Sequence, residues 1–542
     1  MLLRLEYGSR LISTAFGQKS PNSVTQNNSH RQYLTGQLIA EYKGVFGKHD
    51  INVLGGWSAE ENLYEDLQGK RTNIVGNELP ALNLGDTDGW SNAADENEWA
   101  LLSGFMRASY AFAAKYLVEV NFRADASSRF SKKNRWGVFP SASVGWRITE
   151  EKFMQNQHIF DNLKLRASWG QLGNQNGLGL YDHIASYNIN GYYPFKSELG
   201  QWAVISKLPS ESRTWETVEV KNIAVDMAFL RNRLTVTGEY FIKKNKDMLV
   251  SIEIPSIIGI DVPTGNYGEL KVKGWEVTVG WQDKIKDFSY GARFNLSDQK
   301  DKLVDYGVEY NGFVAGVNQK VQGYSLGSIF GYRTDGYFTS EEEVKNSAAF
   351  NKAITGVGDI KYIDKDGDGK ISAPNDLEYL GTTTPRYTFG LNLTAAWKGF
   401  DLGVLLQGVG KRNFYLSSEV MNPYYATWNN FSYKMHNDYW TPENPNAAFP
   451  RYYAGANHNY QISDHWLQNA AYVRLKNLQL GYTISPKLTK SWGIQRLRVY
   501  FSGDNLCEYS KLNDNFDPEL SNINGYVYPI MRNFSFGINV TL

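Results

Sequence analysis

The last nine residues of the chain alternate between apolar side chains and small or polar ones. The apolar positions are Phe534, Phe536, Ile538, Val540 and Leu542, and the positions between them are Ser535, Gly537, Asn539 and Thr541. Successive side chains of a β-strand point to opposite faces, so this segment is predicted to be a strand with one wholly apolar face. A soluble β-sandwich buries such a face in its core, whereas a membrane barrel turns it towards lipid.

Roughly sixteen segments of this kind, each about ten residues long, recur along the chain, and this length is typical of strands in membrane barrels. Clear examples lie at 118–125, 233–237, 275–282, 391–398 and 497–502. Sixteen strands joined by hairpins would enclose a bore too wide for side chains to fill. The polar row of each strand would then face water, and the apolar row would require lipid.

The connections between these segments alternate in length. Very short turns are predicted at Arg231-Asn232 and Lys398-Gly399, and long loops at about 126–138, 172–220, 298–384 and 410–470. Short turns at one rim and long loops at the other are typical of outer-membrane barrels, in which the long loops are extracellular.

Charge and cysteine content narrow the class of protein. The 542 residues include 56 basic and 56 acidic side chains, so no net charge favours nucleic-acid binding, and the single Cys507 excludes an internal disulfide framework. No apolar run approaches the roughly 18 residues that a membrane helix needs. Met1, Leu2 and Leu3 are followed at once by Arg4, so the start lacks a signal-peptide core, and we expect it to lie partway through a longer protein.

The sharpest local motif is an acidic loop at 364–371, which matches the first two-thirds of an EF-hand calcium loop. Its candidate metal ligands are the carboxylates of Asp364, Asp366, Asp368 and Asp376 and the main-chain carbonyl of Lys370. Calcium prefers several oxygen ligands, and alternate acidic residues on a tight turn supply them. Asn375 stands where an EF-hand has its bidentate glutamate, so a solvated Asp/Gly turn on an extracellular loop is the alternative interpretation.

Aromatic residues, which make up 14% of the chain, are frequent in the long loops. Tyr424, Tyr425 and Trp428 are the candidate substrate-binding residues, because flat rings offer apolar faces to sugar C–H groups and tyrosine hydroxyls add hydrogen bonds. The wider set also contains Tyr192, Tyr193, Trp202, Tyr452 and Tyr453. The alternative interpretation is packing within the loops or a membrane-interface belt, where Tyr and Trp are also enriched.

Motifs of covalent chemistry are absent from the sequence. The seven histidines show no HExxH or similar spacing, and no GxSxG, P-loop or dinucleotide-binding motif occurs in a strand–turn–helix context. A glycoside hydrolase would need a pair of acid/base carboxylates, which the sequence does not place. We therefore expect no enzymatic activity and no required cofactor, with Ca²⁺ as a candidate structural ion.

Several stretches spread along the chain carry a family resemblance. They include RADASSRF at 123–130, KGWEVTVGW at 273–281, PRYTFGLNLTAAWKGFDL at 385–402, DYWTPENPNAAFPR at 438–451, AAYVRLKNLQLGYTI at 470–484, LRVYFSGDNL at 497–506 and DPEL at 517–520. In this order they resemble the C-terminal part of SusC/RagA-type TonB-linked outer-membrane proteins. The resemblance implies a 22-stranded barrel around an N-terminal plug, a SusD-like surface lipoprotein over the outer face, and TonB pulling on the plug.

The sequence therefore predicts an all-β protein, a transmembrane antiparallel β-barrel over 1–542 that lacks the plug domain and about six of the strands that the resemblance implies. The expected location is the outer membrane of a Gram-negative cell. The predicted function is TonB-dependent import of nutrients, foremost oligosaccharides, with a SusD-like partner and no nucleic-acid partner. Two alternatives stay open: import of peptides, and a soluble or surface glycan-binding β-sandwich with its apolar faces buried.

Overall fold

An antiparallel sheet of sixteen strands is the largest element of the protein, as seen in a computed structural model. The structure describes residues 2–8, 13–14, 17–18, 21–75, 78, 80–195, 198–251, 257, 264–307, 313–424, 433–453, 455–520, 528 and 530–542. Strands of the main sheet that follow each other in the chain are also neighbours in the sheet, so the topology is that of successive hairpins. The strand number agrees with the sixteen alternating segments of the sequence.

The strands, in chain order, are β1 (Leu2–Gly8), β2 (Ser13–Thr14), β3 (Gly17–Gln18), β4 (Ser23–Phe46), β5 (His49–Thr72), β6 (Ser91–Phe112), β7 (Tyr116–Ser127), β8 (Trp136–Arg147), β9 (Phe160–Asn174), β10 (Ser186–Phe195), β11 (Glu198–Lys207), β12 (Glu216–Phe229), β13 (Leu234–Val250), β14 (Gly265–Ile285), β15 (Phe288–Tyr306), β16 (Gly316–Gln319), β17 (Ser328–Tyr332), β18 (Thr334–Tyr337), β19 (Ile360–Tyr362), β20 (Leu377–Thr382), β21 (Arg386–Trp397), β22 (Phe400–Lys411), β23 (Asn413–Tyr415), β24 (Leu467–Asn469), β25 (Tyr472–Thr483), β26 (Arg496–Ser510) and β27 (Asn533–Thr541). The main sheet has the order β1-β4-β5-β6-β7-β8-β9-β12-β13-β14-β15-β21-β22-β25-β26-β27. The remaining strands form small sheets within the loops.

Several strands of the main sheet are much longer than a membrane crossing requires. Strands β4 and β5 have 24 residues each and pair along their whole length. At about 3.3 Å per residue a strand of this length spans roughly 80 Å, whereas about 9–11 residues cross the hydrocarbon core. The ends of these strands therefore project well beyond any bilayer that the sheet crosses.

The two rims of the sheet differ in the length of their connections. At one rim the turns are short, as at 47–48, 113–115, 230–233, 286–287 and 398–399. At the other rim the strands are joined by long segments at 175–215, 307–385, 412–471 and 511–532. Three of these segments fall where long loops were predicted, and the fourth, 511–532, was not anticipated.

The largest buried core lies in the long loops and not in the main sheet. We call the described parts of 313–384, 413–471 and 511–520 the loop body, because their apolar side chains pack into one cluster. That core contains Ile329, Tyr332, Ile360, Tyr362, Ile371, Leu377, Phe414, Tyr415, Leu416, Val420, Met421, Met435, Phe449, Tyr460, Trp466, Ala470 and Leu512. Segments from three separate loops thus fold together as one unit.

In the described residues the α-helices are few and short: α1 (Glu341–Asn346), α2 (Ser418–Met421) and α3 (Pro486–Thr489). Single 3₁₀ turns occur at Leu82–Leu84, Ile148–Glu150, Lys152–Met154, Lys434–Asn437, His458–Tyr460, Asp464–Trp466 and Lys490–Trp492. Helix α1 begins after Ser340, whose hydroxyl accepts the N–H of Glu343 at 3.2 Å, while the Glu343 carboxylate accepts the N–H of Thr339 at 2.8 Å. Within the described part of the chain, none of the helices has the length and apolar character needed to cross a membrane.

Candidate functional site

One face of the main sheet exposes large apolar side chains. Phe536 is 83% exposed, Leu38 73% and Ile223 67%, and Trp57 and Leu393 are also exposed. These positions do not pack into a second sheet, which is the arrangement that a β-sandwich would require. Exposure of so many large apolar groups to water is unfavourable by about 25 cal/mol for each Å², so this face requires lipid.

The opposite face carries charged and amide side chains that pair across strands. Arg166 on β9 contacts Asp226 on β12 through two hydrogen bonds, of 2.7 and 3.2 Å, and Thr237 on β13 donates to the same carboxylate at 3.2 Å. The amide of Asn222 on β12 donates a hydrogen bond to the carboxylate of Glu239 on β13. Such a face is stable against water, and we call it the polar face.

A groove of about 790 Å³ lies against the polar face near the short turns. Its lining includes Lys43, Asp50, Glu119 and Lys164. Glu119 accepts hydrogen bonds from neighbouring side chains, including that of Ser109 at 2.9 Å. Groups held in this way suit the binding of water and polar solutes.

A buried carboxylate, Asp359, ties two segments of the loop body together. It accepts hydrogen bonds from the Tyr453 hydroxyl at 2.9 Å, the Asn459 amide at 2.9 Å and the Gly356 N–H at 2.8 Å, and His458 Nε2 lies 3.0 Å away. Asp359 is completely buried. A buried carboxylate is tolerated only when it is so fully bonded, so this cluster fixes the relation between its two segments.

The histidines of the loop body have structural contacts. Burial lowers the pKa of His436, whose Nε2 lies 2.9 Å from the Val420 carbonyl. Burial likewise lowers the pKa of His465, whose ring meets the ring of Trp466 edge-on. Both imidazoles are therefore neutral near pH 7 and belong to the packing of the loop body.

Residues 517–520 form a strap that folds back onto the polar face. Arg474 on β25 is 2% exposed and contacts Asp517 at 2.7 Å and also Glu508, while Lys476 holds Glu519 at 2.7 Å. Arg412 donates to the carbonyl of Leu520 at 3.1 Å. The sequence showed the DPEL stretch only as part of a family resemblance, and no local signal indicated these distant contacts.

The acidic loop of the sequence forms a compact turn with converging carboxylates. Oxygens of Asp364, Asp366 and Asp376 lie within 4.8 Å of one another. Asp376 is buried and accepts the N–H groups of Lys365 and Ser372, at 2.7 Å each. The structure therefore brings three of the predicted ligands together, including the one outside the eight-residue motif.

The predicted ligand Asp368 and the neighbouring Asn375 are placed differently. The carboxylate of Asp368 accepts the N–H of Lys370 at 2.8 Å and is outside the converging group. Asn375 donates to Asp366 at 2.8 Å. Although partial burial opposes it, hydrogen bonding from the N–H groups of Gly369 and Gly367 lowers the pKa of Asp364. Its carboxylate is therefore ionised over a wide pH range, which suits a hard cation.

The aromatic residues proposed for substrate binding divide into three groups. Tyr424 is 43% exposed and meets Tyr452 edge-on at 5.8 Å, whereas Tyr425 and Trp428 lie outside the described residues. Tyr452 and Tyr453 are anchored through their hydroxyls, the first to the His436 carbonyl at 2.9 Å. Tyr192, Tyr193 and Trp202 lie on the exposed hairpin β10–β11.

The two-faced sheet, the hairpin topology and the long loops at one rim are those of an outer-membrane β-barrel protein. The family model described as "TonB dependent receptor-like, beta-barrel" matches residues 3–506, and the chain belongs to this family. Its relatives are receptors and transporters and not enzymes. The predicted fold class and the predicted relationship to SusC/RagA proteins are confirmed.

Relatives and solved structures support the assignment. TonB-dependent receptor P26 of Formosa agariphila is 30% identical over 530 residues, which cover 92% of this chain and 52% of the relative. TonB-dependent receptor SusC of Bacteroides thetaiotaomicron is 28% identical over 463 residues, covering 81% and 43%. The RagAB peptide importer in its open-open state has a TM-score of 0.81 at 23% identity, covering 98% and 57%. The chain spans about half the length of the curated relatives it matches.

Proposed function

We propose that this chain forms the wall of a TonB-dependent nutrient importer of the SusC/RagA type in the outer membrane of a Gram-negative cell. The observation that carries the proposal is the division of the main sheet into an exposed apolar face and an ion-paired polar face. Lipid against the first face and water against the second satisfy both. Transport then consists of binding and gated passage along the polar face, without covalent chemistry.

The partners in this proposal follow from the relationship to SusC/RagA proteins. A SusD-like surface lipoprotein would cover the long-loop rim, and TonB would act through a plug inside the barrel. The loop body is suited to contact with such a partner, because its buried core and the Asp359 cluster hold three loops in one arrangement. A preformed surface loses less conformational entropy on binding than separate mobile loops would.

Oligosaccharides are the first candidate cargo. The supporting observation is the pair of exposed rings of Tyr424 and Tyr439, both 43% exposed and both in contact with Tyr452. Adjacent rings provide apolar platforms for sugars. Peptides are the second candidate, supported by the similarity in fold to the RagAB peptide importer.

A Ca²⁺ ion held by Asp364, Asp366 and Asp376 is a further part of the proposal. The three carboxylates would share a hard cation, and main-chain carbonyls and water would complete its coordination. Its role would be to fix the acidic loop on the loop body, not to take part in transport.

The decisive experiment is deletion of the gene in the native bacterium, followed by uptake of labelled oligosaccharides and labelled peptides. We expect the deletion strain to lose uptake of one cargo class, and complementation with the gene to restore it. Loss of oligosaccharide uptake supports the first candidate, and loss of peptide uptake the second. Recovery of the folded protein in the soluble fraction would refute the importer proposal altogether.

A further inference from the structure

The apolar face ends abruptly in lysines on four neighbouring strands, β12 to β15. Ile223, Tyr240 and Trp275 lie directly opposite one another on β12, β13 and β14, and form one transverse row on the apolar face. The next same-face row towards the long loops consists of Lys221, Ile242, Lys273 and Lys300. The row after it consists of Glu219, Lys244, Lys271 and Lys302. We call the lysines of these two rows, with Lys246, the lysine patch.

Several lysines of the patch face each other directly. Lys273 is opposite Lys300, and Lys271 is opposite both Lys302 and Lys244. Side chains in directly opposite positions are close enough that like charges repel, so this arrangement weakens the sheet. Its presence on three adjacent strands is therefore not explained by the stability of the fold.

The acidic side chains nearby neutralise only part of the patch. Glu219 pairs with Lys221 at 3.1 Å and with Lys246 at 2.5 Å, and Glu269 lies 3.8 Å from Lys244. Asp298, in the row of Trp275, is bound by Arg386. Among the residues that the structure describes, Lys271, Lys273, Lys300 and Lys302 have no ion-pair partner.

The depth of the patch identifies the anion that it faces. Tyr240 and Trp275 stand where the apolar row ends, which is the position of the aromatic belt of a membrane protein. The lysines follow immediately on the side of the long loops, at the level of lipid headgroups. Flexible lysine side chains above an apolar surface reach the headgroup region readily.

We propose that the lysine patch binds the phosphate groups of anionic lipids in the outer leaflet. The proposal rests on the proposed outer-membrane location. Four ammonium groups without an ion-pair partner are matched by phosphate charge, and the apolar row below accepts the acyl chains of the same lipid. Binding of such a lipid also removes the repulsion between the facing lysines, so the bound lipid stabilises this part of the sheet.

The test compares binding of lipid A to the protein in neutral detergent micelles, measured by native mass spectrometry. The variant K271Q/K273Q/K300Q/K302Q removes the four unpaired charges. Each lysine near an anionic surface contributes roughly 1 kcal/mol, so the loss of all four is expected to weaken binding on the order of 1,000-fold. The control K132Q/K133Q/K345Q/K511Q removes the same charge from exposed loop positions and should bind within about twofold of the wild type.

Two further arms distinguish lipid binding from a purely structural role of the lysines. Dephosphorylated lipid A should bind the wild type and the patch variant with the same affinity. In lipid-free detergent, the melting temperature of the variant should equal or exceed that of the wild type. Equal lipid A affinity of variant and wild type would overturn the proposal, as would tight binding of free pyrophosphate. A lower melting temperature of the variant would show instead that the lysines serve the fold. Loss of both proteins from the outer-membrane fraction would contradict the proposed location, independently of the patch.

Discussion

Arg474 Nη2 lies 2.7 Å from Asp517 Oδ2, and the same guanidinium approaches Glu519 with Nη1 at 3.2 Å, an ion-pair contact. This contact links the polar face of β25 to a loop that starts after the next strand of the sheet. The strap therefore lies over the polar face at the long-loop rim. In the proposed importer, cargo that enters the barrel passes this point.

The first prediction concerns the ion pairs by which Arg474 binds the strap. Substitution Arg474→Met leaves the carboxylates of Glu508, Asp517 and Glu519 together without their central cation. Breaking a buried ion pair costs about 3–5 kcal/mol, so we expect the strap to detach and 511–520 to be cleaved at least about tenfold faster in limited proteolysis. The matched control Arg147→Met removes an exposed ion pair with Glu150 and should cost about 1 kcal/mol or less. An unchanged cleavage rate in Arg474→Met would show that other contacts hold the strap.

The second prediction concerns calcium binding by the acidic loop. Calorimetry of the folded protein with Ca²⁺ should give a binding heat, and Asp366→Asn should abolish it because one of three converging carboxylates is lost. Asp368→Asn, outside this group, should weaken binding much less. No heat from the wild type at millimolar calcium would remove the site and leave the solvated Asp/Gly turn.

The third prediction is a pH dependence in the loop body. The Thr339 N–H and the Lys361 ammonium lower the pKa of Glu343 from 4.5 to about 2. Because the pKa is depressed in the folded state, the stabilisation is present above pH 4.5 and is lost as the pH falls towards 2. Allowing for solvent screening, we expect a loss of about 1 kcal/mol across this interval.

The measurement for Glu343 is thermal unfolding of the loop body between pH 2 and 7. Glu343→Gln should remove this part of the pH dependence, while Glu341→Gln on the same turn of α1 should retain it. If the melting temperatures of the wild type and of Glu343→Gln change in parallel through this pH interval, the pH dependence does not come from Glu343.

The fourth prediction tests which face of the main sheet meets lipid. Leu393→Arg places a charge on the apolar face of β21, and Asn392→Arg places the same charge on the polar face one residue away. An arginine near the bilayer midplane costs about 2–4 kcal/mol, so Leu393→Arg should lower the unfolding free energy in lipid and reduce the amount of assembled barrel. Asn392→Arg should have a much smaller effect. The reverse order of the two variants would mean that the faces are assigned the wrong way round.

Alternation in the sequence was sufficient to predict the main sheet. In β27 the apolar residues from Phe534 to Val540 share one face, as their period of two requires. The sequence also predicted the turns at Arg231-Asn232 and Lys398-Gly399. In the structure, Lys398 and Gly399 both adopt the left-handed conformation that tight hairpins use.

The candidate sites were only partly predictable. The acidic loop was visible as a motif, since its donors lie close together in the chain, yet the choice of Asp376 over Asp368 depends on how the turn folds back. The Asp359 cluster joins residues about a hundred positions apart, and no local pattern indicates such a pairing. The 511–532 loop was missed because its contacts with Arg474 join segments far apart in the chain and have no local signal.

The sequence by itself determined the strands and the two chemically different faces, since the direction of each side chain along a strand follows from local backbone geometry. The tertiary structure alone decided which charges meet: the register of β12 to β15 aligns lysines into rows, and the folding of three loops into one body brings Asp359 to His458 and the strap to Arg474. These relations depend on contacts between segments far apart in the chain, and such contacts have no local signature.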